Sequence, residues 1–451
     1  MTGVQTCALP IWEVCFSPDG TAVAFITSKD AEHWVRNANG TRAAYSDARN
    51  LVVGPCGETT ACVARLGHNA LVPINGAYQQ TFRWASEPVL SPDGKQTAYY
   101  GELSPGNNSR TPAGGSFYVV VGDQTRGPYE SHGHMFFNQL DGRLVYTIQE
   151  RGDSFVACGA EEGPRFDRVL RPEINVCDGS VWYWAYRSPK WLIVRNHEVI
   201  DTSDECPMPY GPFSWSNGNH VAYWICGETN WSLMLNGQSV GTAQSPVGMI
   251  NSIDVTDSGQ VAYAFQSDGG VWISAAGEKQ GPFDAVGAPT FSPDGRRLAY
   301  MARRSYTSYL VLDGVPGEPF DAILPEEGDL SNYLEDIPVF RDDGLSVAYR
   351  ACRGQSEYIV CDGEAGEPFG FVSGGPAFSP NNGHLVYAAG ESLKEYVVVD
   401  HHRSEPFNRI WSPSPESSLS LMWKPTFSAD GNKVLFGALS DGQLLWRALS
   451  I

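Results

Sequence analysis

Hydrophobic residues along this chain come in short runs of three to five, β-branched or aromatic, separated by Pro, Asp and Gly. The clearest stretch is 285–321, AVGAPTFSPDGRRLAYMARRSYTSYLVLDGVPGEPFD. PTF precedes SPDG, RLAYMA follows it, YLVL is closed by Asp313-Gly314, and EPFD ends the unit. Short apolar runs bounded by turn residues predict strands joined by tight hairpins. In Ser292-Pro293-Asp294-Gly295, Pro fixes φ, Asp accepts local backbone bonds and Gly takes positive φ. One four-stranded unit cannot bury both of its faces, so neighbours of the same kind are required.

The chain supplies them. The anchor glycine of the turn recurs at Gly20, Gly57, Gly94, Gly142, Gly179, Gly218, Gly259, Gly295, Gly344, Gly383 and Gly431. The mean spacing is about 41 residues, the length of a four-stranded propeller blade. An aromatic follows most anchors at a constant offset: Phe25, Tyr99, Tyr146, Tyr223, Tyr263, Tyr300, Tyr349, Tyr387 and Phe436. Packing between blades is the simplest reason for such a residue. The third run repeats as YVVVGD, YLVLDG and YIVCDG, and the fourth as GPY, GPFD or EPF. Pro in the fourth run marks an edge strand. The turns at Gly57 and Gly179 are degenerate but keep register. Three units carry longer polar loops, near Ser104–Gly115, Pro325–Asp336 and Ser412–Ser420, and loops of that size are either disordered or carry binding. The expected fold is all-β: eleven four-stranded propeller units.

FSPDG followed by an apolar-Ala-Tyr strand resembles the TolB-type, WD-like propeller repeat of bacterial envelope proteins, over nearly the whole chain after Trp12. Most propellers have four to eight blades, so eleven units are expected to form two tandem propellers. The boundaries are 12–202 for a first, incomplete propeller and 203–451 for a second, with Asp201–Pro212 as the junction. Residues 1–11 fit no repeat. They resemble the translated adapter of a sequencing library and are read as an assembly artefact, which implies truncation of the first propeller.

Composition narrows the function. The 451 residues include 48 Gly and 30 Pro, only 18% are charged, and the net charge is −20. An acidic chain without Lys/Arg clusters is a poor partner for nucleic acid or anionic membranes. No apolar stretch is long enough to span a bilayer.

Ten cysteines are present. Eight fall in sequence-local pairs: Cys56 with Cys62, Cys158 with Cys177, Cys206 with Cys226, and Cys352 with Cys361. Disulfides there would imply an oxidising compartment, periplasmic or extracellular; buried thiols acting as small hydrophobes are the alternative.

Gly237-Gln238-Ser239-Val240-Gly241 matches GxSxG but lacks the strand-turn-helix setting of a nucleophile elbow, and reads as a turn. His132-Gly133-His134, His401-His402 and Arg151-Gly152-Asp153-Ser154 read as surface or hairpin positions. The repeated SPDG aspartates, one per unit, serve turns. Trp182, Tyr183 and Trp184 form an aromatic cluster suited either to stacking on a glycan or peptide or to packing.

No nucleophile–base pair, metal cluster or phosphate loop is apparent, so no cofactor, metal or catalytic residue is expected. The expectation is a non-catalytic binding or scaffold protein of the bacterial envelope or exterior, with a protein or glycan ligand at a propeller channel mouth. The alternative is a sensor or accessory propeller of a peptidase, lyase or kinase whose catalytic domain lay upstream. An enzyme built from scattered residues is left open.

Overall fold

The structure, a computed structural model, describes residues 11–18, 22–29, 32–37, 42–103, 116–205, 214–216, 220–228, 230–247, 253–321, 337–380, 383–411, 425–428, 431–441 and 443–451. The three long loops, Cys206, Gly20 and Gly218 lie outside them. So do residues 1–10, whereas Ile11 already belongs to the first strand, Ile11–Phe16.

The described residues form eleven small antiparallel sheets of propeller-blade type and one short 3₁₀ turn. In chain order the blades span 11–45, 47–71, 84–129, 131–162, 168–203, 214–243, 245–283, 285–316, 339–365, 371–403 and 409–450. Each is a meander, with the leading strand at one edge and the trailing strand at the other. The expectation of four strands throughout needs two corrections. Blade 2 has three strands, its trailing edge reduced to the bridge Ala70↔Phe82, and blade 11 has three strand positions. The chain divides into two compact units, one up to Thr202 (blades 1 to 5) and one from Ser203 (blades 6 to 11).

Turn chemistry explains the meander. Every anchor glycine described has positive φ, from 68° at Gly383 to 82° at Gly259, where a Cβ would clash. In the turn at Gly295, the Gly295 N–H donates to the Ser292 carbonyl (2.7 Å) and the Arg297 N–H to Ser292 Oγ (3.0 Å). The Ser292 hydroxyl lies 2.6 Å from Asp294 Oδ1 and holds that carboxyl below its usual range. Ser91 and Asp93 repeat this geometry. After the third strand, Asn196, Asn236, Asp313, Asp362 and Asp400 all take positive φ, a region Asn and Asp tolerate. Each accepts the N–H that starts its own second strand, at 2.9 to 3.0 Å.

The recurrent aromatic is a clasp between blades. A Phe at the end of one trailing edge meets the ring on the next blade's second strand edge to face. The pairs are Phe82–Tyr99, Phe166–Tyr183, Phe283–Tyr300, Phe320–Tyr349, Phe369–Tyr387 and Phe407–Phe436, with centroids 5.6 to 6.3 Å apart and planes at 69° to 87°. Such a pair contributes about 0.5–1.5 kcal/mol beyond area burial. The Asp that follows completes the joint. Asp167, Asp284 and Asp321 accept the N–H of Ser188, Ser305 and Gly354 at the next blade's hairpin, at 2.7 to 2.8 Å. The Phe-Asp of GPFD is therefore the inter-blade fastener. Within the unit from Ser203, the Cys226 N–H donates to Ser203 Oγ (2.8 Å). At the end of blade 6 Ala243 stands in place of this Phe, and Trp224–Tyr263 takes over the edge-to-face contact.

Candidate functional site

The leading strands of several blades depart from regular pairing, as do three trailing strands, where the register shifts between Phe117 and Val119, Leu233 and Met234, and Val271 and Ile273. In blade 3 the leading strand is split into Trp84–Ala85 and Val89–Leu90, and in blade 5 into Arg168–Val169 and Glu173–Ile174. Pro88 and Pro172 lie in the gaps, and a residue without an N–H cannot continue the ladder. In blade 4 the register jumps from His132↔Ile148 to Met135↔Tyr146, so Gly133 and His134 both oppose Thr147. Blade 2 shifts between Arg49 and Val52, with Asn50 at φ 55°. Blade 1 shifts between Ile11 and Glu13. Bulges of this kind re-aim side chains out of the sheet.

In the unit up to Thr202 these interruptions carry Glu13, Asn50, Glu87, His134 and Arg171, one from each of five blades. Glu13 Oε1 accepts the Leu51 N–H of the next leading strand (2.8 Å). Burial foremost, and the charge of Glu87 in addition, push its carboxyl up. The bulge beneath His134 is fixed from three sides. Its N–H donates to Thr147 Oγ1 (2.7 Å). The buried Tyr100 hydroxyl donates to the carbonyls of Thr147 (2.8 Å) and His134 (3.1 Å). A Cβ on Gly133 would stand 2.2 Å from Thr147 Oγ1, so only glycine fits. Partial burial, then the charge of Arg171, hold the His134 imidazole below its usual pKa. Arg171 is exposed and, among the described residues, has no hydrogen-bond or ion-pair partner.

Beside this bulge, His132 is enclosed by aromatic rings. It stacks on Trp84 (4.8 Å, 21°), lies 4.7 Å from Tyr100 and meets Phe117 edge-on at 4.6 Å. Burial lowers its pKa. His132-Gly133-His134 is thus part of a leading strand, with His132 half-buried and His134 at the surface. The recoverable signal was the X-Pro pair six or seven residues before the anchor glycine, as in Glu87-Pro88 and Arg171-Pro172.

The aromatic cluster singled out in the sequence is packing. Trp182, Tyr183 and Trp184 are 5%, 0% and 1% exposed, so none offers a face to a ligand. Tyr183 is the clasp ring of blade 5, and Trp182 Nε1 donates to Ser180 Oγ (2.8 Å).

The cysteine pairing also needs correction. Cys62, Cys158, Cys226, Cys352 and Cys361 are free thiols. Cys352 opposes Glu357 while Cys361 opposes Ala348. That offset is four residues, roughly 13 Å of strand, too far for a bridge. Cys158 is buried opposite Val145 and its thiol is pushed up to about 11, whereas Cys177 lies in the turn of the next blade. Cys62 is buried, with its thiol pushed up to about 12. The side chain of its expected partner Cys56 is outside the described residues, as is Cys206, the expected partner of Cys226. The argument from disulfides to an oxidising compartment loses its footing.

The remaining motifs fall as the pattern implied. Gly237 is in a turn and Gln238–Ala243 is a trailing strand, so Ser239 is no elbow nucleophile. Arg151-Gly152 is a hairpin tip held by Glu130 Oε2 on the Gly152 N–H (2.9 Å). His401 and His402 are exposed at another turn.

No protein-family model matches the chain, and no curated protein does. Among solved structures it is similar to a eukaryotic initiation factor (TM-score 0.42, 9% identity, 90% of each chain). It is similar to PorZ, a bacterial surface component of the type-IX secretion system of Porphyromonas gingivalis (TM-score 0.29, 9% identity, 97% of this chain and 68% of that one). A prolyl endopeptidase also matches (TM-score 0.29, 14% identity, 63% of this chain and 53% of that one).

Proposed function

We propose that this chain is a non-catalytic binding or scaffold protein of the bacterial envelope or exterior, of the TolB type that its FSPDG repeat resembles. Each compact unit is a propeller in its own right, and a protein or glycan ligand is taken at the channel mouth. The observation that carries the reading is the set of leading-strand interruptions in the unit up to Thr202. Leading strands face the central channel of a propeller. There the interrupted ladder carries Glu87, His134 and Arg171, where the interruption in blade 8 carries Gly287, Ala288 and Pro289. Among the described residues no helix is long and apolar enough to cross a membrane.

The test is affinity capture with the whole chain against envelope extracts, run beside turnover assays on peptide, ester and glycan panels. A partner captured by the native chain and lost with the triple variant Glu87→Gln, His134→Gln, Arg171→Leu supports the reading. Turnover of any panel substrate that the triple variant abolishes overturns it.

A further inference from the structure

The hydroxyl of the recurrent tyrosine reaches a side chain at three joints between blades. Arg126 Nη1 donates to Tyr146 (3.3 Å), Tyr300 donates to Gln280 Oε1, and Tyr183 lies 3.5 Å from His197 Nδ1. Arginine stays charged and glutamine stays neutral, whereas histidine changes charge between pH 5 and 8. His197 is also unusual in its backbone. It holds the second position of the turn after the third strand, where Gly237, Gly314 and Gly363 stand in other blades. Its φ is 71°, a left-handed conformation that costs a residue with a side chain energy. The ring lies against the trailing edge of blade 4. A Cβ on Gly163 would stand 2.3 Å from His197 Nδ1, so Gly163 leaves the room that the imidazole fills. Nε2 is buried and, among the described residues, has no hydrogen-bond partner.

We propose that His197 is a pH-sensitive latch between blades 4 and 5, closed while the imidazole is neutral and loosened when it is protonated. A neutral ring pairs Nδ1 with the Tyr183 hydroxyl and leaves Nε2 without a proton. In the charged ring both nitrogens are donors, and the Nε2 proton finds no acceptor where it stands, which is unfavourable for a buried cation. The neighbouring groups leave that imbalance in place. Glu161, on the trailing strand of blade 4, favours the cation, and Arg143, just before that blade's second strand, opposes it; burial is the largest influence, and the pKa is lowered. Arg143 is itself paired with Asp141 (2.7 Å). Burial raises the Tyr183 phenol and, in the same cluster, the Cys158 thiol, so both stay uncharged. On the turn, Arg195 is paired with Asp178 (2.7 Å) and Glu198 is exposed. The folded state therefore binds this proton less tightly than the unfolded state. The latch contributes fully above the unfolded pKa of about 6.5 and is lost as pH falls from there through the lowered value.

Two measurements on the full chain test the latch. NMR follows the His197 ring, assigned by its loss in His197→Gly, through a pH titration. A midpoint below about 6.5 is expected, and one at or above it overturns the latch. Hydrogen exchange reads the joint itself. Residues 161–166 of blade 4 are compared with 315–320 of blade 8, which face a turn carrying Gly363 in place of a histidine. The ordinary pH dependence of exchange cancels in the ratio of the two. Between pH 7 and pH 5 that ratio is expected to rise about threefold or more in the native chain. His197→Gly, whose glycine suits the positive φ, is expected to flatten it, and Glu161→Gln to retain it. A ratio that does not change with pH overturns the latch. So does a rise that survives in His197→Gly, or one that disappears in Glu161→Gln, which assigns the titration to the carboxylate.

Discussion

The two compact units share a frame and differ at one place. Both use the same glycine turns, the same Asp or Asn after the third strand and the same Phe-ring clasp: Phe82–Tyr99 and Phe166–Tyr183 in one, Phe320–Tyr349 and Phe369–Tyr387 in the other. Both also interrupt their leading strands. In the unit up to Thr202 the interruptions hold Glu13, Asn50, Glu87, His134 and Arg171. In the unit from Ser203 the described ones hold Gly287, Ala288 and Pro289 in blade 8, and Ser373, Gly374, Gly375 and Pro376 in blade 10. The interruption is a property of the repeat, since a Pro enters the strand in both. Among the described residues, what the first unit adds is charge at the interrupted position. The repeat thus supplies the geometry, and the described parts of the two units differ in the one or two residues that geometry releases.

The largest effect expected tests the shared frame. Phe82→Ala and Phe320→Ala each remove a buried clasp ring, and each is expected to destabilise its unit by about 3–5 kcal/mol, read as a lower urea midpoint. A loss below about 1 kcal/mol in either would show that the two units are not held together in the same way.

A second effect is common to the two units and is read by pH. Glu13 and Asp254 are leading-strand carboxylates whose pKa burial raises, although each accepts backbone N–H bonds, from Leu51 to Glu13 and from Phe291 (2.6 Å) and Val255 (2.9 Å) to Asp254. The folded state therefore holds these protons more tightly than the unfolded state. Their contribution is full below the unfolded pKa and falls as pH rises from about 4 through the raised value. Asp254→Asn and Glu13→Gln remove that dependence. Each variant is expected to gain on the native chain between pH 4 and pH 7 in denaturant titrations; a gap that does not change with pH would refute the buried-carboxylate account.

A smaller effect isolates the charge at the interruptions. Glu87 adds to the raising of Glu13, while Asp254 is shifted by burial with no neighbouring charge. Glu87→Gln is therefore expected to stabilise the first unit by a few tenths of a kcal/mol at pH 7, the scale of an exposed charge pair, and to leave the second unchanged. Smallest of all, Ala288→Arg in the second unit, at the position corresponding to Arg171, should leave stability within about 0.5 kcal/mol, read as an unchanged urea midpoint; a larger loss would show that the two interrupted positions are packed differently.

The thiols give a check on compartment. Under denaturing, non-reducing alkylation, Cys62, Cys158, Cys226, Cys352 and Cys361 are expected to react, as five free thiols. Protection of Cys352 and Cys361 would require a register other than the one observed.

Most of the frame was legible in the sequence because it rests on local chemistry. A glycine at positive φ, an Asp that accepts the N–H fifteen residues before it, and a Pro that marks an edge strand act within one blade and leave a periodic trace. The clasp aromatic was legible as a position, and its Phe-Asp partner as a repeat, but their meeting across two blades was visible only once the sheets were placed. The candidate site was hidden for the same reason. Glu87, His134 and Arg171 lie far apart in sequence, each beside an ordinary Pro or Gly, and what unites them is that each leading strand of the first unit is interrupted at a corresponding level. Trp182, Tyr183 and Trp184 misled in the opposite direction: an aromatic run looks alike whether its rings face solvent or the next blade, and here packing buried all three. Cys352 and Cys361 are near in sequence yet offset by four residues in register. Sequence by itself determined what each residue does to its own backbone; which side chains meet, and which are left free for a ligand, was decided by the stacking of one blade on the next.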